Sequence, residues 1–265
     1  MSPVKTWTQE QINIDFNLAV YDKLRSKYEN LTDFLERLKS FTADLASNKN
    51  LYNINPFPAP FSKEVYILGK CDSELGIFPE PHLALKCSLG KAWAEDLRKQ
   101  FYRSIHLAQE FETKLNNEEK NLLQICPVYL YFQTSLDNFF FKDILFMQRI
   151  TEGVTLGDTK SGLSEEFCRV FNIPTVEEIF LQPQFTLNLY LDRDKQRQLI
   201  KIQTACLFKK LWQKGIKILS LNQKNILISQ VRGTGQTRYI IIDPVSNFFL
   251  PLSPLYNTFT SQLCK

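Results

Sequence analysis

Apolar residues recur along this chain of 265 residues at two periods, one helical and one alternating, and the shifts between them mark out its elements. Near the start Ile12, Phe16, Val20 and Leu24 fall four apart, which predicts a helix over Thr8–Tyr28. Leu31, Phe34, Leu35, Leu38, Phe41 and Leu45 form a clearer stripe and predict a second helix, with Thr32 as its N-cap. Pro56, Pro58 and Pro60 then make Asn53–Phe61 an extended linker. Beyond it the runs shorten: Val65–Gly69 and Leu83–Cys87 read as strands. A long amphipathic stretch, about Lys91–Leu115, predicts a helix ended by Asn116 and Asn117. Ile125–Gln133 and Phe139–Ile150 read as two strands joined by a polar turn at Ser135–Asn138. Ser164–Phe171 and Thr175–Phe180 read as short helices broken by Pro174 and Pro183. Asp192–Lys214 is a long amphipathic helix, with Leu199, Ile202, Ala205, Cys206, Leu207 and Leu211 on its apolar side. Two short apolar runs, Ile226–Ile228 and Tyr239–Ile242, complete the pattern as a hairpin, ahead of a short tail at Phe248–Tyr256.

The mixture is α+β, and it divides the chain into an N-terminal helical segment (1–52), a Pro-rich linker (53–61), a strand-rich part (62–150) and a last part (151–265). Composition narrows the function classes. The formal charge of +4 is mild, and Lys and Arg are mixed with Asp and Glu throughout, so no basic stripe for nucleic acid exists. Six cysteines without a C-x-x-C pair, and only His82 and His106 beside them, leave no zinc site of usual spacing. Their plainest reading is reduced thiols in a cytoplasmic compartment. The polar start, MSPVKTWTQEQ, predicts no signal peptide, and no run of about 18 apolar residues predicts a membrane span.

The candidate chemistry sits at strand ends. Asn225 precedes Ile226–Ile228 and Asp243 follows Tyr239–Ile242, so a hairpin would hold an amide oxygen and a carboxylate near each other. Such a pair suits a hard cation that keeps water and phosphate oxygens in its shell. An ordinary hairpin with one polar residue at each strand end is the bland alternative. Lys86 ends the apolar run Ala84-Leu85, where a lysine is usually a solvated edge charge. Gly69 and Gly76 bracket the stretch between the first two strands, where backbone N–H groups could approach a phosphate without a Cβ in the way. Gly157–Gly162 is not a Walker loop, because the G-K-[ST] order is absent.

Taken in order, these residues resemble the protein-kinase-like superfamily. Residues Gly215–Ile228 resemble its catalytic loop, H-R-D-x-x-x-x-N, with Asn225 at the metal-binding Asn and Asp243-Pro244-Val245 at D-F-G. Ser220 stands where the catalytic Asp belongs, and the form S-L-x-x-x-N-I-L is similar to the PhoP regulatory network protein (YrbL-like) family. Ala84-Leu85-Lys86 resembles V-A-I-K, and the following helix would offer Gln100 to Lys86, with Glu95 and Glu110 as alternatives. Glu152-Gly153 resembles the hinge that reads an adenine edge, while Gly69 and Gly76 match the Gly-rich loop only loosely. No A-P-E element follows Asp243. The resemblance therefore implies a two-lobed kinase-like fold with a minimal C-terminal lobe and an added N-terminal helical segment. It implies ATP and Mg²⁺ as ligands, with Lys86, Ser220 and Asp243 at the catalytic positions. Serine has no suitable pKa to act as a base. The expectation is a pseudokinase acting through a protein partner. Its alternatives are an atypical ATP-dependent phosphoryl or nucleotidyl transferase, and a helical interaction module on a decayed kinase-like core.

Overall fold

The computed structural model describes residues 3–47, 63–70, 75–79, 82–88, 94–150, 153–156, 186–216, 218, 225–231, 234 and 236–245. The predicted linker, the helices at Ser164–Phe171 and Thr175–Phe180, and the tail lie outside these residues. By contacts the chain divides into two units, residues 1–105 with 126–149 and residues 106–125 with 150–265.

The first unit is built on a six-stranded antiparallel sheet in the order β1-β2-β6-β7-β4-β3. Its strands are β1 (Val4–Gln9), β2 (Ile12–Asn17), β3 (Lys63–Lys70), β4 (His82–Ser88), β6 (Val128–Thr134) and β7 (Asp143–Gln148). The first two correct the sequence reading: residues 4–17 form a hairpin, turned at Glu10 with φ +47, where a helix from Thr8 was expected. Ile12 and Phe16 suit a strand as well as a helix, because a spacing of four is even and keeps both on one sheet face. The helical reading holds only from α1 (Leu18–Lys27), whose start is capped by Asn17 Oδ1 accepting the Ala19 N–H at 3.1 Å. In α2 (Leu31–Ser47) the cap is Asn30, whose Oδ1 accepts the Asp33 N–H at 3.0 Å, rather than Thr32.

Strand alternation sorts the two sheet faces. Ile12, Ile14 and Phe16 of β2, Leu83, Leu85 and Cys87 of β4, Leu130 and Phe132 of β6, and Ile144 and Phe146 of β7 share one core with α1 and α2. Phe34, Leu38, Phe41 and Leu45 of α2 are buried there, with Phe41 and Phe146 ring to ring at 6.3 Å. Residues 4–47 thus extend the sheet and roof one of its faces. The other face carries Asp15, Lys86, Tyr131, Asp143 and Leu145, and α3 (Ala94–Lys114) lies across it.

The second unit has a four-stranded sheet, β5-β10-β9-β8, made of Leu123–Ile125, Thr237–Ile241, Ile226–Gln230 and Val154–Thr155. The apolar run predicted as one strand from Ile125 to Gln133 is divided at Cys126-Pro127. Its start, β5, pairs parallel with β10, and its remainder is β6. Pro127 has no N–H to give a ladder, which suits it to this passage between sheets. Asn116 opens α4 (Asn117–Leu122) through a capping box with Glu119. Glu119 also forms an ion pair with Lys214. The last helix, α5, runs Thr186–Gln213 and starts earlier than the expected Asp192. Its buried side is Ile200, Ala205, Phe208 and Leu211; Leu199 and Ile202, expected on the apolar side, are exposed.

Candidate functional site

The central pair of the first unit is Lys86 and Gln100. Lys86 lies in the middle of β4, between Cys87 and Leu85, whose side chains point into the α1–α2 core. Alternation therefore sends Lys86 to the α3 face. There its Nζ donates to Gln100 Oε1 at 2.8 Å. Gln100 is 2% exposed, and Leu97 and Phe101 beside it on α3 are buried. Burial favours a partnered amide at this position, since an unmatched one costs about 1–3 kcal/mol. The structure brings Gln100 to Lys86, and Glu110 pairs with Lys114 at 2.7 Å; the Glu95 side chain lies outside those described. Gln100 orients the ammonium without cancelling its charge, because an amide oxygen carries only a dipole.

Cys126 lies within electrostatic reach of Lys86. Its thiol donates to the Gln148 carbonyl at 3.3 Å, and burial pushes it up to about 12, so it stays a thiol.

A second polar group lies on the same face and had not been expected from the sequence. Asp15 is fully buried on β2. Its Oδ1 accepts from Thr6 Oγ1 at 2.7 Å, and its Oδ2 lies 3.3 Å from Arg98 Nε of α3. Tyr131, opposite Asp15 on β6, donates its phenol proton to Asp143 Oδ1 at 2.7 Å. Burial raises the Asp143 carboxyl to about 6, opposed by the Tyr131 hydrogen bond, and burial likewise raises the Tyr131 phenol. The signal available in the sequence was the alternation Ile12, Ile14, Phe16, which leaves Asp15 on a separate face.

In the second unit, β9 and β10 pair with Ile226 opposite Ile241. The Ile242 N–H donates to the Asn225 carbonyl at 2.8 Å, so the ladder runs on to Asn225, and Asp243 comes one residue later. Both polar residues therefore lie at the same end of the hairpin, and both are half-buried. Asp243 Oδ1 accepts the Val245 N–H at 3.0 Å, an Asx-type turn that fixes the carboxylate where the strand ends.

The remaining expected positions fall out differently. Gly69 lies in a break of register between Ile67 and Lys70, where β3 bulges against β4. Gly76 has φ +61 and is joined to Leu75, Ile77 and Phe78, which pack in the α1–α2 core. Tyr28 Oη donates to the Leu75 carbonyl at 2.9 Å, and Lys23 Nζ to that of Phe78 at 3.3 Å. The structure thus ties Gly76 to α1, on the sheet face opposite Lys86, and does not bring the two together. Gly153 has φ +122, and a Cβ there would lie 2.9 Å from the Ile228 carbonyl oxygen, so close approach to β9 demands glycine. Glu152 and Ser220 lie outside the described residues.

Among the described residues no cluster of three or more His, Cys, Asp or Glu side chains forms a metal cage, and no helix is long and apolar enough to cross a membrane. No protein-family model matches the chain, and no curated protein matches it significantly.

Proposed function

We propose that this chain is a nucleotide-binding protein of the kinase-like type, in which Lys86 contacts the phosphates of ATP and Asn225 and Asp243 hold Mg²⁺. The observation that carries the reading is the 2.8 Å hydrogen bond from Lys86, in a sheet strand, to Gln100 on the helix that follows. A lysine on a strand, oriented by a side chain of the next helix, is the device kinases use to bring a cation to the phosphates. There the helix residue is Glu; here it is an amide. The amide oxygen of Gln100 orients the Lys86 ammonium by a hydrogen bond.

The end of the β9–β10 hairpin supports the second half of the reading. One carboxylate and one amide oxygen are too few for a protein-only cage. They suit Mg²⁺, which keeps several waters and takes phosphate oxygens as ligands. Bound there, the metal would neutralise phosphate charge. Ser220 supplies no base for an acceptor hydroxyl, so the activity proposed is binding and signalling through a protein partner, as in a pseudokinase. The described cysteines, Cys87, Cys126 and Cys206, are in the thiol form, in keeping with a reducing cytoplasmic setting.

The test is a thermal-shift and calorimetric titration with ATP, with and without Mg²⁺. Binding to the native state alone stabilises by about 2.7 kcal/mol at a hundredfold excess over Kd. Lys86→Met should weaken this at least tenfold. No shift and no heat at millimolar ATP and Mg²⁺ would sink the reading. Transfer of phosphate from ATP to water, or to the protein, would instead favour the transferase.

A further inference from the structure

Asp15, Tyr131, Leu145 and Lys86 stand in one straight row across the sheet. Asp15 is opposite Tyr131, Tyr131 opposite Leu145, and Leu145 opposite Lys86. Three strand spacings separate the ends of this row, about 14 Å at ~4.8 Å each. A helix with its side chains is about 10–12 Å across, so one helix fills that span. The helix there is α3. Its Arg98 reaches Asp15 at one end of the row, and its Gln100 accepts from Lys86 at the other. Residues two apart on a helix point about 200° from each other, so Arg98 and Gln100 leave α3 on opposite flanks. Leu97 and Phe101, buried between those flanks, face the sheet.

From this we infer that Arg98 and Asp15 form a positioning pair, through which the N-terminal hairpin holds α3 at the angle that lets Gln100 orient Lys86. The apolar contacts of Leu97 and Phe101 are non-directional and by themselves fix the roll of α3 less sharply than hydrogen bonds do. Polar contacts on both flanks oppose roll in either direction. Asp15 is fully buried and accepts a hydrogen bond from Thr6 on the neighbouring strand, so it is an anchored end. Arg98 is half exposed, and its guanidinium also lies over the Tyr102 ring at 5.8 Å, one helical turn on. Removing Arg98 leaves a buried carboxylate with poor compensation, and the sheet then gains by letting water reach Asp15. That movement lifts the β2 side of α3 and rolls Gln100 away from Lys86. The N-terminal hairpin would therefore act on the nucleotide site without touching it. Only the ATP arm of the test rests on the nucleotide reading above.

The experiment measures Lys86 directly, through its rate of acetylation by an amine-reactive ester read by mass spectrometry, with Lys120 as internal reference. It is run on the full chain as wild type, Arg98→Met, Arg98→Lys, Asp15→Asn and Gln100→Leu. The expected result is a rise of threefold or more in Lys86 acetylation relative to Lys120 in Arg98→Met and Asp15→Asn. This rise should approach that of Gln100→Leu, and Arg98→Lys should restore much of the wild-type rate. The Kd for Mg-ATP should weaken by about tenfold in the same variants. Asp15→Asn keeps its shape and its bond from Thr6, so it serves where Arg98→Met fails to fold. Unchanged Lys86 reactivity in Asp15→Asn and in every folded Arg98 variant overturns the inference. A wild type that ignores ATP while Lys86 reactivity responds overturns the nucleotide reading and leaves the positioning pair standing.

Discussion

The phenol of Tyr131 donates a 2.7 Å hydrogen bond to Asp143 Oδ1 beneath α3, and both side chains are buried. Desolvation of the carboxylate is the larger effect, and the Asp143 carboxyl titrates at about 6 in the folded protein against an ordinary 3.8. Its proton is held more tightly by the folded state than by the unfolded one, so stability from this group is full below about pH 4. It is lost as pH rises through about 6. We expect the difference in unfolding free energy between wild type and Asp143→Asn to change by roughly 2 kcal/mol between pH 4 and pH 7. The asparagine still accepts from Tyr131 and carries no charge to bury. Urea melts at both pH values give the number, and a difference independent of pH would contradict the burial argument.

Gly153→Ala should destabilise the protein by about 1–3 kcal/mol. Its φ of +122 is a conformation side chains rarely adopt, and the new Cβ would meet the Ile228 carbonyl at 2.9 Å. The carbonyl belongs to the backbone of β9 and cannot swing aside. A denaturant melt is sufficient; a midpoint unchanged from wild type would show that β8 and β9 are held less closely than described.

Residues 4–47 should be inseparable from the first unit. Their hairpin pairs with β6, and α1 and α2 bury the apolar side of β2, β4, β6 and β7. Phe41→Ala should cost about 3–5 kcal/mol, within reach of the whole stability of a domain. Deletion of residues 1–47 should yield aggregated protein, since it uncovers that face and leaves β6 as an open edge. A truncated chain that stays monomeric with a sharp melting transition would show the opposite.

Asp243→Ala should abolish the Mg²⁺-dependent part of ATP binding, while Ser220→Ala should leave it nearly intact. Asp243 is fixed at a strand end by its bond from the Val245 N–H, and it is the charged member of the pair proposed for the metal. Ser220 stands at the position of a base toward an acceptor, which does not contact nucleotide in the kinase pattern. Calorimetry with and without Mg²⁺ separates the two. Equal affinity in Asp243→Ala and wild type would mean that the hairpin end is structural only. Phosphate transfer appearing in Ser220→Asp would mean that only the base is missing.

Local pattern alone determined much of this chain. The stripe from Leu31 to Leu45, the helix around Gln100 and the hairpin between Asn225 and Asp243 follow from period and strand ends. Each depends on contacts between residues near in sequence. The choice of Gln100, with Glu95 and Glu110 as alternatives, came from the resemblance to the kinase helix and not from period alone. Tertiary structure decided the rest, because there the competing patterns are equal locally. Ile12 and Phe16, four apart, satisfy a helix and a strand alike; the ladders to β1 and β6 make residues 12–17 a strand. Ile125–Gln133 is continuous in hydrophobicity, yet its ends belong to different sheets, and no period records which partner a strand will take. Leu199 and Ile202 show the converse, since their period marks an apolar face and yet both side chains are exposed. Asp15 and Arg98 are 83 positions apart, and their meeting depends on the sheet order that sets β2 beside β6 and lays α3 over both. Such a pair exists only once the chain has closed, which is why neither residue announced itself.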